Sequence, residues 1–174
     1  MTTFREYVRL QDRCRKILDD LGVPRSSSLE SLVRWVEGMR GRPLVLKELP
    51  HQAAGAGACG LWLGTDAADF VFFEARTALV HREHIVRHEL GHMLADHHAP
   101  RPNDGLGGGV EDLLTGLEPR LIKRLMARTS YTTAEEQEAE MLASLLHGDH
   151  QSTEVTGALG RLRTMLGMRA DDRS

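Results

Sequence analysis

Aromatic side chains make up only 5% of this 174-residue chain, and there are just two cysteines. Few aromatics argue against a stacking platform for single-stranded nucleic acid. Cys14 and Cys59 are far apart and belong to no paired motif. A secreted disulfide framework is therefore not expected, and two free thiols in a reducing compartment are. Charge of either sign is nearly balanced: a net charge of −3 lends no support to direct nucleic-acid binding. No apolar run approaches the ~18 residues that a membrane span requires. The opening MTTFREYVRLQDRCRK carries charge throughout and has no apolar signal core. A cytoplasmic protein is the expectation. What is present is ordinary for a globular chain, with 41% hydrophobic and 27% charged residues, and the length suits one compact domain with its own core.

The pattern of elements reads as α+β. Residues 3–21 form an amphipathic pattern with Tyr7, Val8, Leu10, Cys14, Ile17 and Leu18 on one stripe, closed by Gly22 with Pro24 beyond. A second helix is expected from an N-cap at Ser28 to about Met39, closed by Gly41. Three short strands follow: PLVLKEL at 43–49, GLWLG around Trp62, and DFVFFEA at 69–75. They suggest a small antiparallel or mixed three-stranded sheet packed on helices. From Thr77 to His97 the period returns to 3.6. PRPNDGLGGG at 100–109 reads as a loop, and a helix is expected near 118–128. A further helix, capped by Thr132 or Thr133, carries AEEQEAEMLASLLHG, and a last helix or tail occupies 150–174. The expected organisation is a single domain over 1–174: a helical N-terminal extension at 1–41, a catalytic core at 42–149, and the tail.

Six of the nine histidines crowd into HREHIVRHELGHMLADHH, residues 81–98, with HELGH at its centre. On a helix His88 and His92 are four residues apart, so both rings project from one face and can close on one ion. Glu89 lies about 100° round the helix from His88, in reach of a metal's water but not of the metal. Zinc hydrolysis needs this arrangement: the metal lowers the pKa of its water toward about 7, and the carboxylate moves the proton. Imidazole and carboxylate donors suit zinc. Val86, Leu90, Met93 and Leu94 form an apolar stripe that packs the helix and places its histidines at the border of the core.

A third protein ligand is required, and two places offer one. His98 completes His-x3-His-x5-His, the metzincin spacing, which a metal-dependent nuclease family also uses. That geometry needs a helix break where this chain has Ala95, a helix former, so His98 is expected to rotate away. The alternative is the helix with EQEAEMLASLL, where Glu136, Ala139, Glu140 and Ala143 share a face. A glutamate on a second, crossing helix is the gluzincin arrangement, and the two alanines permit close approach. Other residues have weaker expectations. His81 and His84 read as site walls or exposed groups, and Asp96 as a hydrogen-bond partner for a ligand imidazole. Tyr131 is a candidate donor to a developing oxyanion, and Trp35 and Trp62 read as core or interface.

Over residues 43–147 the chain resembles the ImmA/IrrE-type metallopeptidases, small intracellular gluzincin-like proteins. HELGH matches their first motif, and EQEAEMLASLL stands where the family has a helix of the type ExxAN-x-FAxxLL. The family's asparagine is Glu140 here, its phenylalanine is Leu142, and LLMP becomes LLHG. The resemblance implies a zincin-like fold with one zinc held by His88, His92 and Glu136, and Glu89 as general base. It also implies cleavage of a partner protein, often a helix-turn-helix repressor in stress-response or mobile-element loci. Extended substrate would pair with the sheet edge near DFVFFEA. The competing reading is a non-catalytic metal-binding module that docks on a transcription factor.

Overall fold

The computed structural model describes residues 3–25, 28–49, 60–97 and 131–147. The expected loop at 100–109, the helix near 118–128, the tail at 150–174, Cys59 and His98 lie outside these residues.

Helix α1 spans Phe4–Leu21 and begins with a reciprocal cap, in which Thr3 accepts from the Glu6 N–H and Glu6 accepts from the Thr3 N–H. It stops at Gly22, whose φ of 70° is open to glycine and whose N–H reaches the Leu18 and Asp19 carbonyls. Of the expected stripe, Cys14 is buried and Leu10, Ile17 and Leu18 pack around it. Tyr7 and Val8 are exposed. Helix α2, Leu29–Arg40, is capped by the Ser28 side chain and closed by Gly41 at φ 66°, and it buries Leu32 and Val36.

Strands β1 (Leu44–Glu48), β2 (Gly60–Gly64) and β3 (Asp69–Phe73) form a mixed sheet in the order β1-β3-β2. β1 runs parallel to β3 with Leu44 opposite Asp69, and β2 runs antiparallel with Trp62 opposite Val71. The tight turn between β2 and β3 is held by Thr65, whose N–H and hydroxyl both bond the Ala68 carbonyl. One expectation is overturned: DFVFFEA offers no free edge, because β3 is the central strand. The reason is visible in its composition. Phe70, Val71 and Phe72 are all buried, so the strand is covered on both faces, as an unbroken apolar run requires. Among the described residues the edges are β1 and β2.

Helix α3 covers Leu79–Leu94, shorter than the expected 77–97. Ala95 does not prolong it. Asp96 turns left-handed at φ 55°, and the His97 N–H returns to the His92 carbonyl at 2.9 Å. Aspartate tolerates that backbone region better than most side chains, so it replaces the glycine that a helix break ordinarily uses. Helix α4, residues 133–147, starts at Thr132, which exchanges capping hydrogen bonds with Glu135.

The described residues thus form an α+β arrangement of four helices and a three-stranded sheet. Leu32, Val36, Leu44, Trp62, Val71, Val86, Leu90, Met93 and Leu94 make one cluster between sheet and helices. Each such side chain contributes ~1.5–3 kcal/mol on full burial. Trp35 packs against the cluster's margin. Cys14 joins Met141 and Leu142 of α4 in a second cluster, so α1 lies against α4. Beside the first cluster, the buried Asp69 carboxylate takes bonds from Arg40 Nε (2.5 Å), Arg42 Nε (2.7 Å) and the Trp62 indole (2.9 Å). This ties the end of α2 and the starts of β1 and β3 to β2. No helix among the described residues is long and apolar enough to cross a membrane.

Candidate metal centre

The distance between α3 and α4 is set by a residue without a side chain. A Cβ on Gly91 would stand 2.8 Å from the Ala139 carbonyl oxygen and 3.1 Å from its Cα. The glycine of HELGH and the small Ala139 let the two backbones touch, and that contact brings Glu136 over the histidines. His88, His92 and Glu136 together offer ligand atoms that all lie within 4.8 Å of one another. His88 Nε2 is 3.2 Å from His92 Nε2 and 3.2 Å from Glu136 Oε2, and His92 Nε2 is 3.9 Å from Glu136 Oε1. Atoms sharing a tetrahedral cation with bonds of ~2.0–2.1 Å stand ~3.3 Å apart.

The outer ring nitrogens fix which atoms carry protons. His88 Nδ1 faces Glu140 Oε2 at 3.2 Å, and an ionised carboxylate can only accept, so Nδ1 is the donor. His97 Nε2 faces Glu138 Oε2 at 3.1 Å and must donate for the same reason. With its proton on Nε2, His97 presents a lone pair at Nδ1, which lies 2.8 Å from His92 Nδ1, and in that tautomer His92 is the donor. Both inner Nε2 atoms are left with lone pairs pointing at each other and at a carboxylate. Such a cluster is electrostatically unfavourable by itself and fits a cation with imidazole and carboxylate ligands.

Of the two glutamates on the α4 face, Glu136 completes this triad. Glu140 instead holds the backs of the rings, taking His84 Nε2 at 3.0 and 3.1 Å as well as His88. Burial pushes its carboxyl up, but the bonds from His84 and His88 outweigh that and keep it below its ordinary value. His84 is a support for Glu140, and His81 is exposed. Asp96 is exposed and does not take the expected place against an imidazole. Its positive φ turns the chain so that His97 takes that place. His92 is buried, and burial, then His88 and His97, press its pKa down to about 3. It is therefore neutral, the state that ligation needs.

Glu89 lies on the inner side, 6% exposed. Burial first, then the charge of Glu136, pushes its carboxyl up to about 8, against the opposing pull of the Trp62 backbone N–H. A dication at the triad would act in the opposite direction. Gly60 gives it room: a Cβ there would meet Glu89 Oε1 at 2.5 Å and Ile85 Cγ2 at 2.7 Å. Edge strand β2 thus runs directly beside the carboxylate. Tyr131 stacks on the His92 ring with centroids 3.7 Å apart and planes at 15°. Its hydroxyl is buried and has no hydrogen-bond partner among the described residues. Burial, then the charges of Glu89, Glu136 and Glu135, raise its pKa well above the usual tyrosine value, so it stays a donor.

Sequence reasoning missed His97, Glu138, Gly60 and Gly91. A tighter signal existed only for Gly91, since a small residue facing Ala139 and Ala143 is what close helix packing requires. In comparisons with known proteins, no family model, curated protein or solved structure matches this chain.

Proposed function

We propose that the protein is a zinc-dependent metallopeptidase of the ImmA/IrrE type, with a zincin-like core, that hydrolyses a peptide bond in a partner protein. The observation that carries this reading is the convergence of three groups able to hold one cation, His88, His92 and Glu136, with the separate buried carboxyl of Glu89 alongside. Zinc, when bound there, supplies Lewis acidity toward water and a scissile carbonyl. Glu89 takes the proton from water and delivers it to the leaving amine. Its burial disfavours the charged form, which helps it hand the proton on. Tyr131, protonated and without a hydrogen-bond partner among the described residues, donates to the oxygen on which charge develops. An extended substrate adds to the sheet along β2, the edge that adjoins Glu89, and main-chain bonds supply its affinity. The expected substrate class is a DNA-binding repressor in the cytoplasm. Glu136 already completes three donors without His98, which favours this reading over a nuclease built on His98.

Glu89→Gln tests it. The amide keeps the bond from the Trp62 N–H and touches no ligand, so the variant should hold zinc like the parent. New N-termini generated in a lysate by the parent should be absent with the variant. The same N-termini from both proteins, or zinc lost from the variant, would refute the assignment of Glu89.

A further inference from the structure

Behind His92 the hydrogen bonds continue away from the triad in one direction. His92 Nδ1 gives to His97 Nδ1 at 2.8 Å, His97 Nε2 gives to Glu138 Oε2 at 3.1 Å, and Arg13 Nε gives to Glu138 Oε1 at 2.7 Å. The four groups come from three separate pieces: the end of α3, the second turn of α4, and α1. The inner part is protected from water, since His92 and His97 are 1% and 7% exposed. Each link is held independently. The left-handed Asp96 and the bond from the His97 N–H to the His92 carbonyl fold His97 back under His92. Cys14 Sγ lies 3.8 Å from the Glu138 carbonyl, and Cys14 packs on Met141 and Leu142, which holds α1 against the Glu138 turn.

We infer that His97 and Glu138 are positioning residues for the metal centre, and that Arg13 extends this support into the N-terminal helix. The inference rests on the metal-centre reading and adds to it the groups that make His92 a ligand. His97 has two tasks. Its Nδ1 lone pair holds the proton of His92 on the outer nitrogen, which frees Nε2 for a cation, and it fixes the rotation of the His92 ring. Glu138 keeps His97 in the tautomer that can accept, and Arg13 Nε, 2.7 Å from Glu138 Oε1, keeps Glu138 oriented. A carboxylate behind a ligating imidazole raises its basicity as well as orienting it; here a second imidazole is interposed between the two. Tyr131 limits ring motion from the stacked face, and its hydroxyl makes no hydrogen bond to Nδ1. His97, and not the tyrosine, therefore selects the tautomer.

The test uses the full chain, stripped of metal and titrated with zinc alone and with cobalt alone, whose visible absorption reports ligand geometry. Partners of this kind commonly contribute ~10–100-fold to metal affinity. His97→Leu, which fills the space but cannot accept a proton, should lose that factor and change the cobalt spectrum. His97→Gln, which carries an acceptor and a donor in one amide, should recover part of it. A purely structural role predicts the reverse, with leucine tolerated at least as well as glutamine. If His97→Leu does not fold, Glu138→Met carries the test, because it removes only the outer acceptor. Parental zinc affinity and cobalt spectrum in whichever of the two folds would overturn the inference. Glu136→Ala is measured in parallel. If the parent binds no ion, or Glu136→Ala binds as tightly as the parent, the metal-centre reading fails and this inference with it. If Glu136→Ala binds weakly while His97→Leu matches the parent, only the present inference fails.

Discussion

Adding one methyl group at Gly91 should damage the candidate metal centre without touching His88, His92 or Glu136. The new Cβ would stand 2.8 Å from the Ala139 carbonyl oxygen, 3.1 Å from its Cα and 3.3 Å from its carbonyl carbon. All three atoms are helix backbone and cannot rotate away. The closest approach falls ~0.6 Å short of ordinary van der Waals contact, so α4 must retreat by roughly that much. Overpacking of this kind costs ~1–3 kcal/mol, while replacing a mid-helix glycine by alanine returns ~1 kcal/mol. The net loss of stability in the metal-free protein is then small, ~0–2 kcal/mol. The effect on the site is larger. Metal ligands tolerate displacements of ~0.2 Å, and Glu136 moves with α4. Gly91→Ala is therefore expected to weaken zinc ~10–100-fold, or ~1.4–2.8 kcal/mol.

Gly38 in α2 is the control, because a Cβ there would meet nothing within 4 Å. Gly38→Ala should stabilise by up to ~1 kcal/mol and leave zinc affinity unchanged. Urea unfolding of the metal-free proteins and a competition titration with a zinc chelator give both quantities. If Gly91→Ala gains as much stability as Gly38→Ala and holds zinc like the parent, then the α3–α4 contact does not set the site, and the reasoning is refuted.

Three further outcomes follow from the buried charges and the thiol. Asp69→Ala strands Arg40, Arg42 and the Trp62 indole and should cost ~3–5 kcal/mol in urea unfolding; a loss below ~1 kcal/mol would show that the network is not holding the sheet. Burial pushes the Asp69 carboxyl up, but bonds from Arg42, Arg40 and Trp62 hold it below its ordinary value. Its contribution is thus present above the unfolded-state pKa and fades as pH falls through the lower folded one. In metal-free protein His92 is pressed down to about 3, so between its ordinary 6.5 and that value the unfolded chain binds the extra proton and acid favours unfolding. The His92 ring signals in NMR should therefore not titrate between pH 7 and 5, and a midpoint near 6.5 would contradict its burial. Finally, burial and then the Glu138 charge push the Cys14 thiol up to about 11. At pH 8 Cys14 should resist iodoacetamide in the native protein and react once urea unfolds it, as read by mass spectrometry of its peptide; equal rates in both states would contradict the packing of α1 on α4.

Much of this protein follows from local chemistry along the chain. Thr3 with Glu6, Ser28, Gly22 and Gly41 carry the signals that start and stop α1 and α2, because capping involves only neighbours in sequence. The i,i+4 histidines and the glutamate between them specify two candidate ligands and a candidate base once the segment is helical. Tertiary structure decided the rest, since it depends on which atoms meet across long separations. The choice of Glu136 over Glu140 needed the crossing of α3 and α4 at Gly91 and Ala139. DFVFFEA is legible as a strand, but its central place in the sheet depends on partners at both sides. The turn at Asp96 defeated propensity reasoning at Ala95, because helix termination there comes from a left-handed residue and a backbone bond that no average preference encodes. That same turn put His97, and not Asp96, behind His92, and Arg13 reached the site only because α1 lies against α4.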